Sequence, residues 1–390
     1  CKLFLIMKGK IKYIDTICTN SMHIIFNASL LALCKELSPQ VIFYGERKNQ
    51  IEILNTLKEN SFPTSFIETK SIFLLEGNSK YKHILNFFIS FIYNTYFVLF
   101  SNKNDILLFN YNNLLSIRFI NFLNKICNKK IIIFCHGEME LIEKQTFEYG
   151  LFNKLLLFLG KRFFLNKNIH IQKDIIFFVL GDSILSNLKK IIPENIYSSF
   201  HSIDHPYFFK REVKEGEGGS ESTKIGTVGV FSKQKGGDDF CNICKSINNP
   251  DIKFSITGRI FYDVKKLTAL QVNLPSNKGK SMLSKKELED RASMLDFILF
   301  LYPKDSYRLI ASGAILEAIS LRKPILALRN DYFNYLFKKF GDFGYLTDSI
   351  EELISLINTI QTKNKQFNFD TIQNNLSIEN ISTNLKNELI

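Results

Sequence analysis

The residues best placed to do chemistry lie between Leu295 and Leu328, in LDFILFLYPKDSYRLIASGAILEAISLRKPILAL. The apolar run Phe297–Leu301 reads as a buried strand ending at Tyr302–Pro303. A polar loop follows, Ser312–Gly313–Ala314 opens a helix, and Pro324 starts the next strand. A helix start carries unpaired N–H groups and the positive end of the helix dipole, so Ser312, Gly313 and Ala314 form a candidate anion site. Gly313 has no side chain to keep a phosphate away from the backbone. Glu317, about one turn into the helix, could accept hydrogen bonds from two vicinal hydroxyls such as those of a ribose. An N-capped helix with an exposed Glu accounts for the same residues.

Four further groups need weighing. In the stretch Thr227–Phe240, TVGVFSKQKGGDDF, Lys235 sits in a run with Lys233; most such lysines are simply solvated, and it is the loop context between Gly229 and Gly236 that suits it to a phosphate. His136 ends the apolar strand IIIFC and is followed by Gly137–Glu138; a lone His there is either a site residue or a satisfied structural one. His201 and His205 in HSIDHPYFF lack a clear third ligand, and Cys241 and Cys244 lack a second pair at zinc spacing. Both pairs are read as structural, and no metal site is expected.

Parallel α/β elements must position these groups. Strand-like runs apolar on both faces alternate with helical patterns at Lys10–Ile17, Gln40–Glu46, Asp105–Asn110 and Lys129–Glu138. Asp174–Ser183 is expected to be the last strand of the first half. Arg211–Lys224, REVKEGEGGSESTK, has no apolar periodicity and reads as a linker. The alternation then restarts with KIGTVGVF, IKFSITG, LDFILFLYP and KPILALRN. The pattern predicts two doubly wound, Rossmann-like domains facing a cleft: residues 1–205, a linker at 206–224, and residues 225–365. Residues 366–390 are expected to form a helix packing back on the first domain. Ligands then belong at the carboxyl ends of the strands.

Composition bounds the partners. In 390 residues, 50 are basic and 38 acidic, a net charge of +12, which favours polyanionic partners without choosing among them. No nucleic-acid readout motif is present, so no nucleic-acid partner is expected. Seven scattered cysteines do not suggest a disulfide framework. The chain begins at Cys1, which leaves a missing true start open; residues 3–7 are apolar but short, and no cleavage pattern follows. Leu85–Phe100 is nearly long enough to span a bilayer, but Asn86, Asn94 and Thr95 favour a buried or membrane-resting helix. Phe152–Lys173 mixes apolar residues with Lys154, Lys161, Arg162 and Lys167, a pattern that suits an anionic membrane surface or a buried helix with basic ends.

The second half resembles the donor-binding domain of GT-B glycosyltransferases, particularly family 4. ASGAILEAISLRKPILAL resembles its donor-binding segment, LSKKELEDRASMLDFILFLYP the segment before it with its characteristic Asp at Asp296, and TVGVFSKQKGGDDF its first strand and loop. FSITG fits its next strand, and IIIFCHGE resembles the first-domain strand that ends in a cleft histidine. The resemblance covers most of residues 225–330 and, more thinly, 10–185. It implies that Lys235 contacts donor phosphates and that Glu317 holds the nucleotide ribose. It also implies that His136 faces the transferred sugar, with Gly229 and Gly258 as turns beside the nucleotide. Three positions depart from the pattern. Val230 stands where the family usually has Arg, and Leu309 where it has the first acid of a glutamate pair, leaving Tyr307, Asp305 or Arg308 nearby. CTNSMH at Cys18–His23 replaces a glycine-rich turn.

The expected activity is therefore metal-independent, retaining transfer of a sugar from a nucleoside-diphosphate sugar to a hydroxyl of a lipid-linked or surface glycan. No cofactor is expected beyond that donor, and the setting is cytoplasmic or peripheral on the inner membrane face. A nucleotide-sugar 2-epimerase of the same fold, or a weakly active nucleotide-sugar-binding subunit, are the alternatives.

Overall fold

A computed structural model describes residues 9–77, 79–143, 150–209, 222–360 and 366–389. The chain forms two compact units. The first comprises Cys1–Phe208, Leu309–Ala311 and Leu376–Ile390; the second comprises Phe209–Arg308 and Ser312–Asn375.

The first unit runs β1 (Ile11–Ile14), α1 (Ile24–Leu37), β2 (Val41–Gly45), α2 (Arg47–Glu59), β3 (Ile67–Ser71), α3 (Lys80–Phe100), β4 (Ile106–Phe109) and α4 (Ile117–Cys127). It continues with β5 (Lys130–Cys135), α5 (Glu140–Glu143), α6 (Leu151–Phe164), β6 (Ile175–Val179), α7 (Asp182–Lys189), α8 (Glu194–Tyr197) and β7 (Phe200–Ser202). The seven strands pair in parallel in the order β3-β2-β1-β4-β5-β6-β7. Every residue of β4 is buried, as are five of the six in β5, because helices cover both faces. At the edge, β3 exposes Glu68 and Lys70, charges that discourage pairing with another sheet. Right-handed crossovers require helices to change face where the strand order reverses. Thus α1 and α2 share one face, while α3, α4 and α6 share the other. The reversal lies between β1 and β4.

The second unit runs β8 (Thr223–Val228), β9 (Phe231–Ser232), α9 (Gly237–Ser246), β10 (Ile252–Thr257), β11 (Ile260–Phe261), α10 (Val264–Ala269), α11 (Lys285–Ser293) and β12 (Phe297–Phe300). It ends with α12 (Gly313–Ser320), β13 (Ile325–Leu328), α13 (Asp331–Phe340), β14 (Gly344–Thr347), α14 (Ile350–Thr359) and α15 (Phe369–Asn375). Five strands pair in parallel in the order β10-β8-β12-β13-β14, with the reversal between β8 and β12. Short β9 and β11 form a separate parallel ribbon. Phe240, Ile256, Leu299 and Leu326 lie in the core. The Asp296 carboxylate accepts the backbone N–H of Lys224 at 2.7 Å, and the Asp296 N–H returns to the Lys224 carbonyl at 2.8 Å, so this acid fixes the start of β8.

Several boundaries differ from the sequence expectation. Asp174–Ser183 contains β6, but β7 follows it as the edge strand, pairing Phe200 with Phe177. Strand β8 begins at Thr223, inside the stretch read as linker; residues 210–221 lie outside the described residues. The terminal segment is two helices, with α15 in the second unit and α16 (Ile378–Leu389) against α1 in the first. Cys241 packs in the core of the second unit, and Cys241 and Cys244 are both free thiols on α9.

Candidate functional site

In an open parallel sheet, the carboxyl ends of the two strands flanking the order reversal splay apart and leave a crevice. Each unit has one such place, and the residues singled out by sequence gather at both.

In the second unit the reversal brings together the ends of β8 and β12. Gly229 follows β8 with φ 91°, and a side chain added there would point into open space. Gly258 follows β10 with φ 151°, and a Cβ on it would lie 1.7 Å from the Gly229 carbonyl oxygen. Only glycine permits that backbone approach, so the two strand ends are locked side by side. Lys233–Lys235 form a short 3-10 turn closed by Gly236 at φ 82°. A Cβ on Gly236 would meet the Leu301 carbonyl at 2.2 Å, so the loop lies directly on the end of β12. Half-buried Lys235 thereby reaches Tyr302, its Nζ 5.6 Å from the ring centroid.

Tyr302 joins this loop to the helix start. Its ring stacks on Tyr307 at 4.2 Å and on Phe333 at 5.7 Å, and its hydroxyl lies 3.3 Å from Ser312 Oγ. Ser312 is the N-cap of α12, but its side chain makes no capping hydrogen bond. Gly313 is exposed, with open space where a side chain would be, and Ala314 is half-buried in the first turn. The N–H groups at this helix start are therefore approachable by an anion. Glu317 is half-buried one turn on. Lys235, Ser312 and Gly313 are thus brought together through Tyr302, which the sequence marked only as the end of a strand.

Leu309 is the position where the resemblance calls for an acid. It is 2% exposed, packs with the first unit, and donates its N–H to the Glu140 carboxylate at 3.1 Å. Its neighbour Ile310 lies against Gly137, where a Cβ would meet Ile310 Cδ1 at 2.7 Å. The residue at this position is a buried anchor, and the carboxylate beside it is that of Glu140, which is taken up by the Leu309 N–H.

In the first unit the reversal lies between the ends of β1 and β4, and a polar network fixes it. Buried Asp15 accepts the N–H groups of Ile17 and Cys18 at 3.1 and 2.9 Å and the Asn27 amide at 2.8 Å. Burial still raises its pKa against the effect of those bonds. Asn27 Oδ1 in turn accepts from Tyr13 and from Asn110 Nδ2. A cavity of about 210 Å³ opens beside this network, lined by Cys18, His23, Phe26, Asn110, Tyr111 and His136 among others. The buried Oδ1 of Asn110 has no hydrogen-bond partner.

His136 follows β5, which carries it to this cavity. Its ring contacts Phe26 and His23 edge-on at 4.4 and 4.6 Å, with His205 at 6.0 Å. Burial, together with the positive charges His23 and His205 would carry, pushes its pKa well below the usual histidine range. The imidazole is therefore neutral near pH 7. Glu138 holds the turn: its Oε2 accepts the N–H groups of His136 and Gly137 at 3.1 and 3.0 Å. Burial raises the Glu138 pKa to about 7, and its buried Oε1 has no hydrogen-bond partner.

His201 and His205 do not act as a pair. His201 Nδ1 meets Glu388 at 2.7 Å, whereas His205 turns inward to the Pro206 carbonyl at 2.9 Å. Among the described residues, no group of three or more His, Cys, Asp or Glu is placed to hold a metal ion. A larger depression of about 630 Å³, lined by Arg329, Tyr345 and Thr347, lies at the β13–β14 edge. It shares no residue with the two reversal points, and its open, shallow walls suit solvent better than an enclosed ligand.

No family model and no curated protein matches the sequence. Solved structures do match along almost its whole length. Anabaena HepE in complex with UDP and glucose aligns over 98% of this chain and 99% of its own, at 12% identity and a TM-score of 0.60. The lipopolysaccharide outer core galactosyltransferase WaaB aligns over 97% and 99%, at 12% identity and 0.57. A variant of S. aureus TarM, in complex with fondaparinux, alpha-GlcNAc-glycerol and UDP, aligns over 97% and 99%, at 10% identity and 0.60. Likeness at such low identity establishes architecture: this chain has the GT-B fold, with two parallel α/β sheets of seven and five strands.

Proposed function

We propose that the protein transfers a sugar from a nucleoside-diphosphate sugar to a hydroxyl acceptor, a lipid-linked or surface glycan. The observation that carries this reading is the cluster in the second unit. An approachable helix start at Ser312–Ala314, the Lys235 ammonium and the open ground before Gly229 together suit a diphosphate. Glu317 would accept from the ribose hydroxyls. As the glycosidic bond breaks, negative charge grows on the departing diphosphate, and the α12 N–H groups and Lys235 would stabilise it without a metal ion. In the first unit, neutral His136 would hydrogen-bond a hydroxyl of the transferred sugar. Retention of configuration is part of the proposal, because no separate base is then required of the protein.

Leu309 favours one second reading, a subunit that binds the nucleotide sugar without transferring it. Release of free nucleoside diphosphate in step with glycosylated acceptor would exclude that reading.

The experiment is thermal denaturation with UDP or GDP, with and without EDTA. At a hundredfold excess over Kd, a ligand bound only by the folded protein adds about 2.7 kcal/mol. A rise in Tm that survives EDTA is expected. No rise with any nucleotide would overturn the proposal, and a rise abolished by EDTA would overturn its metal independence.

A further inference from the structure

The second face of the first unit is unusual in both polarity and charge. Helix α3 exposes Phe88, Ile92 and Tyr96, α4 exposes Phe122 and Ile126, and α6 exposes Phe158. Ile92 is 65% exposed, Phe122 60% and Ile126 70%, so these are side chains standing in solvent and not grazing it. The three helices adjoin. Phe91 of α3 stacks on Phe119 of α4 at 5.6 Å, and Phe87 of α3 meets Phe152 of α6 at 5.3 Å. An apolar groove of about 370 Å³ runs between α4 and α6, floored by Leu114 and Leu159 and lined by Arg118 and Arg162.

The charge is one-sided. Helices α3, α4 and α6 have 21, 11 and 14 residues and contain no Asp or Glu, although 38 of the 390 residues are acidic. They carry Lys80, Lys82, Arg118, Lys125, Lys154, Lys161 and Arg162. A second copy seated on this face would set those cations against their own kind, which disfavours a dimer. A polyanionic surface with an apolar interior satisfies both properties at once.

We propose that this face rests on an anionic phospholipid bilayer, with exposed aromatic and aliphatic side chains in the headgroup–acyl boundary. The α4–α6 groove takes an acyl chain, and Arg118 and Arg162 meet the lipid phosphate. Helix α3 is long and apolar enough to cross a membrane, but its inner face is committed elsewhere. Ser90 and Asn94 hydrogen-bond Thr16 at 2.6 and 3.1 Å, and Asn86 pairs with both backbone groups of Leu75 at 2.8 and 3.0 Å. Spanning would strip these bonds in hydrocarbon, so α3 lies along the surface. The inference does not depend on the proposed sugar transfer.

The chain contains no Trp, so one introduced Trp reports on its own surroundings. Phe122→Trp is expected to show a blue-shifted emission with vesicles of phosphatidylcholine and phosphatidylglycerol in equal parts, and quenching by brominated acyl chains. Ile51→Trp, on exposed α2 of the other face, is expected to show neither. Removing two charges with Arg118→Gln and Arg162→Gln should weaken vesicle binding roughly thirtyfold. An unshifted Phe122→Trp, an equal shift with pure phosphatidylcholine, or an equal shift at Ile51→Trp would overturn the proposal. A shift produced by protein concentration alone would assign the face to a second copy instead and overturn it equally.

Discussion

Lys235 Nζ lies 5.6 Å from the centroid of the Tyr302 ring, and the Tyr302 hydroxyl lies 3.3 Å from Ser312 Oγ. One aromatic side chain thus sets the distance between the cationic loop and the helix start. Neighbouring Lys233 is exposed and paired with Asp238 at 3.4 Å, so the two lysines separate cleanly in an experiment. Lys235→Ala is expected to lower affinity for UDP or GDP roughly tenfold to a hundredfold, the range of a charged hydrogen bond. Lys233→Ala should change it little. Equal effects in titration calorimetry would mean that only net charge matters and would remove Lys235 from the site.

The paired glycines make a second prediction, because the same substitution meets different surroundings. Gly229→Ala forces a non-glycine residue to φ 91° but meets no neighbouring atom, a cost of about 1–3 kcal/mol. Gly258→Ala places a methyl 1.7 Å from a backbone oxygen, which no side-chain rotation relieves. Its cost should exceed about 4 kcal/mol, enough to lower the yield of folded protein severely. Gly229→Ala should fold and lose nucleotide affinity, since its methyl enters the open ground before the sheet. Retained affinity would place the nucleotide elsewhere.

Much of this was legible in the letters. The buried strands announce themselves because a parallel sheet covered on both faces needs apolar residues at successive positions, as in Ile131–Phe134 and Phe297–Phe300. Three of the four edge strands of the two large sheets do not: β3 reads IETKS, β7 reads FHS and β14 reads GYLT, each short and partly polar, whereas the fourth, β10, reads IKFSIT and is expected. The glycines of the candidate site were legible because positive φ restricts the residue type. Tyr302, Phe26 and His205 were not, since what places them is packing between segments distant in the chain. Leu309 shows the same limit. The missing acid is visible in sequence, but its bond to Glu140, 169 positions away, is not.

Glu138 supplies a prediction whose sign follows from its raised pKa of about 7. Above the ordinary carboxylate pKa of 4.5 the unfolded chain loses this proton while the folded chain keeps it. The folded state therefore binds more protons, and this residue lowers stability as pH rises from 4.5 towards 7. Glu138→Gln removes the titration and keeps an acceptor for the His136 and Gly137 N–H groups. Stability of the variant relative to wild type should climb across that window, by at most about 3 kcal/mol. His205, lowered to about 4, works in the opposite sense between its own pKa and the ordinary value of 6.5. The wild-type profile alone is therefore uninformative, and the difference curve is the measurement. A flat difference curve in denaturant titrations would show that Glu138 is ionised at neutral pH.

The last prediction concerns His136 and separates a reaction role from a packing role. The strand β5 delivers it to the cavity beside the β1–β4 reversal, and Gly137 and Glu138 fix the turn that follows. Its ring is neutral near pH 7, so any help it gives to transfer comes through hydrogen bonds to a sugar hydroxyl. Such a bond, strengthened as charge develops on the sugar, would appear in kcat and leave nucleotide affinity, governed by the second unit, almost unchanged. His136→Ala also opens space beside Phe26 and His23, so a fall in Tm alone says nothing about chemistry. His136→Asn is the cleaner test because it keeps a hydrogen-bonding group in a similar place. The expected order of kcat is wild type, then Asn, then Ala, with the alanine variant at least roughly tenfold below wild type and Kd for UDP constant. Equal turnover per folded molecule in all three proteins would make His136 a wall of the cavity, and would leave Asn110, with its unpartnered Oδ1, as the group at that cavity to test next.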